Sequence, residues 1–168
     1  MSHTNGMSLH IRRATEEDWP RIWPIMKAVV ASGDSYMLAS DCPEEEAHEY
    51  WMGIPIQTYL AEENGDVVGT YALRVNQRGR GAHVANAGYM VRPGLFGKGT
   101  GAALCEHSLN AARAQGFLAM QFNAVVSTNA RAVALWQRLG FAIVGTVPQA
   151  YLHATLGYVD IYIMHREL

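Results

Sequence analysis

Cysteine is scarce in this chain, and long apolar runs and blocks of like charge are missing. Two cysteines occur in 168 residues. Cys42 and Cys105 have no metal-type spacing, and Cys105 falls in a helix-forming run among alanine and leucine. A disulfide scaffold and a metal site are therefore not expected, and a reducing cytoplasm fits. Charged residues make up 17% of the chain and the net charge is −2, with no run of five or more basic residues. Such a chain has no electrostatic footprint for nucleic acid, so no nucleic-acid partner is expected. The longest apolar stretches are strand-length, which excludes a transmembrane helix and any membrane partner it would bring. Met1-Ser-His-Thr-Asn-Gly-Met-Ser8 lacks the apolar centre of a secretory signal and reads as a flexible N-terminus over 1–8, with Met7 an alternative start. Repeats and linkers are absent too. What remains, at 49% hydrophobic residues, suffices for one domain, 9–168, with a substantial core.

Periodicity and punctuation divide that domain. Leu9–Arg13 alternates as a first strand, and Thr15-Glu-Glu-Asp18 opens a helix through Val30, with Pro24 marking a kink or restart. Pro43–Trp51 begins a second helix, and 31–41 is a loop carrying Tyr36. Gln57–Glu62 and Val67–Leu73 form a hairpin about Asn64-Gly65. His83–Val91 is a strand, Thr100–Gln115 a helix ended by Gly116, and Phe117–Val126 a buried parallel strand. Asn129–Leu139 is an amphipathic helix ended by Gly140. Phe141–Val147 and Tyr158–Arg166 close the chain as paired strands around the connection 148–157. This order predicts an α/β (α+β) fold: a mixed, mostly antiparallel sheet of about seven strands with helices on both faces.

Gly88-Tyr-Met-Val-Arg-Pro-Gly-Leu-Phe-Gly-Lys-Gly-Thr-Gly101 carries the chemistry. An apolar strand meets a proline, then glycines at 94, 97, 99 and 101, then a helix. Glycines there let backbone N–H groups approach a ligand, and the following helical turn supplies unpaired N–H groups and the positive end of a dipole. Phe96, Gly97, Lys98, Gly99, Thr100 and Gly101 thus frame a candidate site for a phosphate or pyrophosphate, with Lys98 a mobile charge at its rim. The spacing is neither a Walker A loop nor a dinucleotide fingerprint. From the glycines alone, a ligand site and an empty turn are equally supported.

The second segment, Asn129-Ala-Arg-Ala-Val-Ala-Leu-Trp-Gln-Arg-Leu-Gly-Phe141, decides between them. With the glycine loop it resembles the GCN5-related N-acetyltransferase (GNAT) family, whose loop runs Gln/Arg-x-x-Gly-x-Gly/Ala and whose later helix runs Asn-x-x-Ala-x-x-Leu-Tyr-x-x-x-Gly-Phe. The resemblance implies acetyl-CoA as co-substrate, its pyrophosphate in the loop, and its thioester carbonyl on backbone N–H near Met90, Val91 or Arg92. It places Asn129 near the thiol end of the coenzyme, although Asn129 reads equally well as a helix N-cap. Two positions depart from the pattern. Phe96 stands where the family has Gln or Arg, and Trp136 where many members have a tyrosine that protonates the departing thiolate. An indole cannot do that, so Trp136 walls the site and the thiolate leaves unaided or takes its proton elsewhere.

In the resembled fold the acceptor enters between His83–Val91 and Phe117–Val126. Asn86 and Asn123 interrupt these apolar strands, where an unpaired amide would cost roughly 1–3 kcal/mol. The ending Gly157–Leu168 and the run Phe122–Asn129 also resemble fungal acetyltransferases of proline analogues such as azetidine-2-carboxylate, in which the matching asparagines would hold the substrate carboxylate. Glu62, Asp160 and His83 are candidates for the base that deprotonates the amine, beside a chain of waters. Tyr36, Tyr89, Tyr151 and Tyr158 are candidates for the pocket wall. The expectation is an enzyme, an acetyl-CoA-dependent N-acetyltransferase acting on a small amine, an amino or imino acid, by direct attack. A peptide N-acetyltransferase and a non-catalytic acyl-CoA sensor stay open, and a homodimer is the tendency of the resembled family.

Overall fold

One seven-stranded sheet organises the chain in a computed structural model that describes residues 8–168; of the N-terminus expected to be flexible, 1–7 lie outside the described residues. The elements are β1 (His10–Arg13), α1 (Trp19–Ser32), α2 (Glu44–His48), β2 (Gln57–Glu63), β3 (Asp66–Val75), β4 (Val84–Val91), α3 (Thr100–Ala114), β5 (Ala119–Val126), α4 (Ala130–Arg138), β6 (Ala142–His153) and β7 (Gly157–Glu167). The strand order is β1-β2-β3-β4-β5-β7-β6. Every neighbouring pair is antiparallel except β4 with β5. The predicted mixed, mostly antiparallel α/β sheet is therefore the observed one. No helix among the described residues is long and apolar enough to cross a membrane.

Helices cover both faces. Ile22, Met26 and Val30 of α1, with Ala47 and Trp51, pack on Leu60, Ala72 and Met90 on one face. Leu104, Leu109 and Ala112 of α3, with Trp136 of α4, pack on Tyr71, Ala85 and Phe122 on the other. Trp51 is fully buried, which needs a partner for its indole; its Nε1 donates to Thr70 Oγ1 at 3.0 Å.

Local chemistry sets the boundaries. The Asp18 carboxylate accepts the Thr15 N–H at 2.8 Å, capping the 3-10 turn Glu16–Asp18 that leads into α1. Pro24 does not restart that helix: Trp19–Ser32 is continuous. Its ring nitrogen forfeits the single bond that an N–H there would make to the Pro20 carbonyl. Asn64 and Gly65 have φ of 53° and 84°, the left-handed pair that turns β2 tightly into β3. The second helix is shorter than expected and passes into a π-type turn over Glu49–Gly53.

The 148–157 connection differs most from expectation. β6 continues through Pro148 to His153, with a register break between Val147 and Tyr151, so only a tight turn remains before β7. An edge strand can carry proline because the N–H it lacks would have faced solvent.

Candidate functional site

The parallel pair β4–β5 holds together only at Val84–Ala119 and Ala85–Met120, then diverges. β5 bends away with β7 through a register break between Phe122 and Val125. The divergence opens a cleft of about 1020 Å³, bounded by β4, the glycine loop, the starts of α3 and α4, and the loop holding Tyr36.

Hydrogen-bond alternation decides which backbone groups face it. Arg92 N–H donates to Val68 O, and Asn76 N–H to Val84 O, both at 2.9 Å. In an antiparallel ladder such pairs recur at every second residue, so residues 84, 86, 88, 90 and 92 spend their backbone groups on β3. The intervening residues face β5, as the bond from Leu118 N–H to His83 O confirms at one end. Past Ala85 they face the cleft. Of Met90, Val91 and Arg92, only Val91 then turns its N–H toward the cleft. Met90 and Arg92 are corrected on this ground, their N–H groups being committed to β3. Met90 is also packed among the α1 side chains, and neither residue lines the cleft.

Gly94, Gly97 and Gly99 all have positive φ, 89°, 79° and 87°, and an added Cβ at any of them meets nothing within 4 Å. Their role is the backbone turn and an open surface, not packing. Gly101 differs: a Cβ there would lie 3.3 Å from Leu135 of α4. The first helical bond closed at this end is Ala103 N–H to Gly99 O, so the amide hydrogens of Thr100, Gly101 and Ala102 have no acceptor within the helix.

The cation at this mouth is not the expected one. Lys98 is exposed and does not line the cleft, whereas Arg131 of α4 does. Its guanidinium lies 4.8 Å from the Phe96 ring centroid. Asn129 caps α4, its Oδ1 accepting from Ala132 N–H at 3.3 Å, and it also lines the cleft. Trp136 is buried against Tyr89 and Phe122 and forms a wall.

The other half of the cleft is made of side chains on the α1–α2 face of the sheet. Asn86 lines it, opposite Arg74 in the β3–β4 register. Asn123 lines it too, and its amide is held by neighbours, donating to Asn76 Oδ1 at 2.7 Å and accepting from Gln121 Nε2 at 2.9 Å. Tyr36 enters from its loop and donates its hydroxyl to the Tyr89 carbonyl at 2.8 Å, satisfying one backbone group that the divergence leaves open. Burial of that hydroxyl pushes its pKa up, so it stays protonated and acts as a donor. The loop is pinned from outside: Tyr151 Oη donates to Tyr36 O at 3.1 Å, and Ala154 N–H to Gly33 O at 2.9 Å.

The three candidate bases do not come to the cleft. Glu62 is clasped by Arg12 and Arg21, at 3.1 and 2.9 Å, in a cluster with Asp18. Hydrogen bonding to Arg12 lowers its pKa, which makes it a weaker base. Asp160 accepts the Gln149 N–H at 2.9 Å in the β6 irregularity. His83 is exposed just before β4. Among cleft-lining residues the one carboxylate is Asp34, which accepts from Ser32 Oγ at 2.7 Å. His153 also lines the cleft, but its Nδ1 accepts the N–H groups of Thr155 and Leu156 at 3.1 and 3.2 Å. Tyr151 and Tyr158 fall outside the wall; Tyr158 is exposed.

Sequence reading missed Arg74, Asp34 and Arg131. Arg74 gave a signal of the kind that singled out the asparagines, a polar residue interrupting an apolar strand. Asp34 sits among polar loop residues, and Arg131 occupies a variable position of the amphipathic α4 run; neither gave one.

The acetyltransferase (GNAT) family matches residues 14–141. N-acetyltransferase aca1 of Schizosaccharomyces pombe is 37% identical over 98 residues, 58% of this chain and 47% of that protein, so the chain spans about half its length. An L-methionine sulfoximine/L-methionine sulfone acetyltransferase of Pseudomonas paraeruginosa is 34% identical over 153 residues, covering 85% of this chain and 86% of that protein. Among solved structures, a GCN5-related N-acetyltransferase from Kribbella flavida superposes with a TM-score of 0.90 at 43% identity, covering 95% of this chain and 98% of that one.

Proposed function

The chain belongs to the acetyltransferase (GNAT) family, whose members use acetyl-CoA, and from that premise we propose that it transfers acetyl directly to the amine of a small amino or imino acid. The observation that carries the reading is the β4–β5 divergence, with free backbone donors on one side and an amide- and arginine-lined pocket on the other. The glycine-turned start of α3 takes the pyrophosphate. The Val91 N–H meets the thioester oxygen where charge develops during attack. Asn86 and Asn123 hold the acceptor, and the proton of its ammonium leaves through water toward Asp34. Coenzyme A departs as thiolate, which a thiol pKa of about 8.5 permits without an acid at Trp136. A relative named for two amino-acid analogues supports the choice of acceptor. So does the lining, which carries aromatic rings and one carboxylate rather than an acidic groove for peptide.

The free thiols Cys42 and Cys105 suit a cytoplasmic setting. A homodimer through β6 is supported by its outward apolar side chains Val144, Val147 and Leu152, and sedimentation of the free protein checks it.

A thiol-release screen over amino acids, imino acids, polyamines and aminoglycosides tests the reading. Release with an amino or imino acid, lost in Asn123→Ala, is expected. Binding of acetyl-CoA with no release from any amine would leave the acyl-CoA sensor, which the indole at 136 otherwise favours.

A further inference from the structure

We infer that Arg74 reads a carboxylate on the acceptor and so restricts the enzyme to amines that carry one close by; the inference rests on the acetyl-transfer reading above. Arg74 lies on β3 opposite Asn86, half-buried, and lines the acceptor half of the cleft. Its guanidinium sits 4.3 Å from the Tyr50 ring centroid and 5.7 Å from that of Trp51, and donates to the Tyr50 carbonyl. Those contacts fix its plane but leave its charge unmatched.

The contrast with the other arginines of this face is direct. Arg12 and Arg21 are paired with Asp18 and Glu62. No carboxylate of the described residues lies within 4.0 Å of Arg74. A partly desolvated cation with no anion is unfavourable unless something else supplies the charge. A guanidinium has five donors, and one bond to Tyr50 leaves a fork suited to a carboxylate taken through two oxygens. Asn86, directly across the strand pair, adds an amide donor on the same face; no described residue engages its side chain. The Tyr89 carbonyl and the Tyr36 hydroxyl lie farther along β4 toward Val91, where the amine must arrive. Carboxylate at residue 74 and amine near residue 89 orient an amino acid along β4, toward the thioester.

The same charge rejects other acceptors. Polyamines and aminoglycosides bring cations against a fixed cation. A peptide N-terminus has an amide where the fork needs an anion, so Arg74 separates free amino acids from protein ends.

The test is thiol release from saturating acetyl-CoA with two matched pairs of probes. These are L-azetidine-2-carboxylic acid and L-methionine sulfone, each against its own carboxamide, with calorimetric affinity for acetyl-CoA measured alongside. Wild type is expected to prefer acid to amide by on the order of 100-fold in kcat/KM, the size of losing a charge-assisted pair. Arg74→Gln is expected to lose most of that factor on the acid, leave the amide within about threefold, and bind acetyl-CoA as wild type does. Arg74→Lys falls between, since it keeps the charge without the fork. An unchanged acid-to-amide ratio in Arg74→Gln, or a wild-type preference for the amide, overturns the inference while acetyl transfer stands. No release from any probe removes acetyl transfer and this inference together. Should Arg74→Gln fail to fold, Asn86→Asp decides: a carboxylate placed beside Arg74 is expected to abolish acid preference, and its persistence overturns the inference.

Discussion

The two halves of the cleft are built from different materials. On the side proposed for the coenzyme, the polar groups are main-chain amides: the Val91 N–H, the turn through Gly97 and Gly99, and the open end of α3. On the side proposed for the acceptor they are side chains from separate elements, Tyr36 from a loop, Arg74 from β3, Asn86 from β4 and Asn123 from β5. A backbone site tolerates side-chain change. Phe96 stands where the family pattern has Gln or Arg, and Arg131 brings a cation over its ring. A side-chain site depends on each residue, and there a single exchange alters which molecule is accepted.

The sharpest way to break this contrast is to damage backbone geometry without touching any functional side chain. Gly99→Glu forces a side chain onto φ 87° at the N-cap of α3 and points a carboxylate at the phosphate position. A loss of acetyl-CoA affinity on the order of 100-fold is expected, about 2.7 kcal/mol at 1.36 kcal/mol per tenfold. Calorimetry measures it, and Asn123→Ala serves as the control that should leave the affinity unchanged. Equal affinity for Gly99→Glu and wild type would remove the loop from the coenzyme site.

That difference in materials also explains what could be read from the chain alone. Gly94, Gly97 and Gly99 were legible because the required φ is written in the residue type, and the loop is local. Asn129 and Gly140 marked the ends of α4 just as locally, the first by its side-chain cap on the Ala132 N–H and the second by its φ of 87°. The parallel strand β5 was legible from its apolar run. Tyr36 reaches Tyr89 across 53 positions, and nothing local to either residue announces the contact. A charge at a strand end does not say whether it faces a cleft or an arginine, and Glu62 faces two arginines. Met90 and Arg92 needed the hydrogen-bond phase of β4 against β3, which the sequence does not contain. Pro148 suggested a loop because edge strands cannot be told from central ones before the sheet is assembled.

A smaller effect, confined to the acceptor half, is expected from Tyr36→Phe. The ring stays beside Trp51, and only the donor to the Tyr89 carbonyl is lost. A buried neutral hydrogen bond is worth about 0.5–1.5 kcal/mol, so kcat/KM for the acceptor should fall roughly tenfold while acetyl-CoA affinity stays within about twofold. Because burial raises the Tyr36 pKa, the hydroxyl donates throughout the working pH range and does not titrate. The pH–rate profile of Tyr36→Phe should therefore be displaced in height and not in shape. Loss of a limb would show that the hydroxyl carries a proton in the reaction.

The smallest kinetic effect, none, is expected from Glu62→Gln, and it separates a carboxylate that holds the fold from one that works in the cleft. As a base, Glu62 would be worth about 10²–10⁴ in rate. As a partner of Arg12 and Arg21, on the rim of the sheet, its removal should cost about 1 kcal/mol of stability and leave turnover alone. The cluster also fixes the sign of the acid response. Hydrogen bonding to Arg12 lowers the Asp18 pKa to about 2 and lowers that of Glu62 as well. A depressed folded-state pKa contributes stability that is complete above the unfolded value, near 4, and is lost as pH falls toward 2. Denaturant melts of wild type should therefore weaken over that window, and Glu62→Gln should weaken less steeply, since one of the two carboxylates no longer titrates. A turnover defect in Glu62→Gln with stability intact would return the residue to the reaction and join the two clusters that the fold keeps apart.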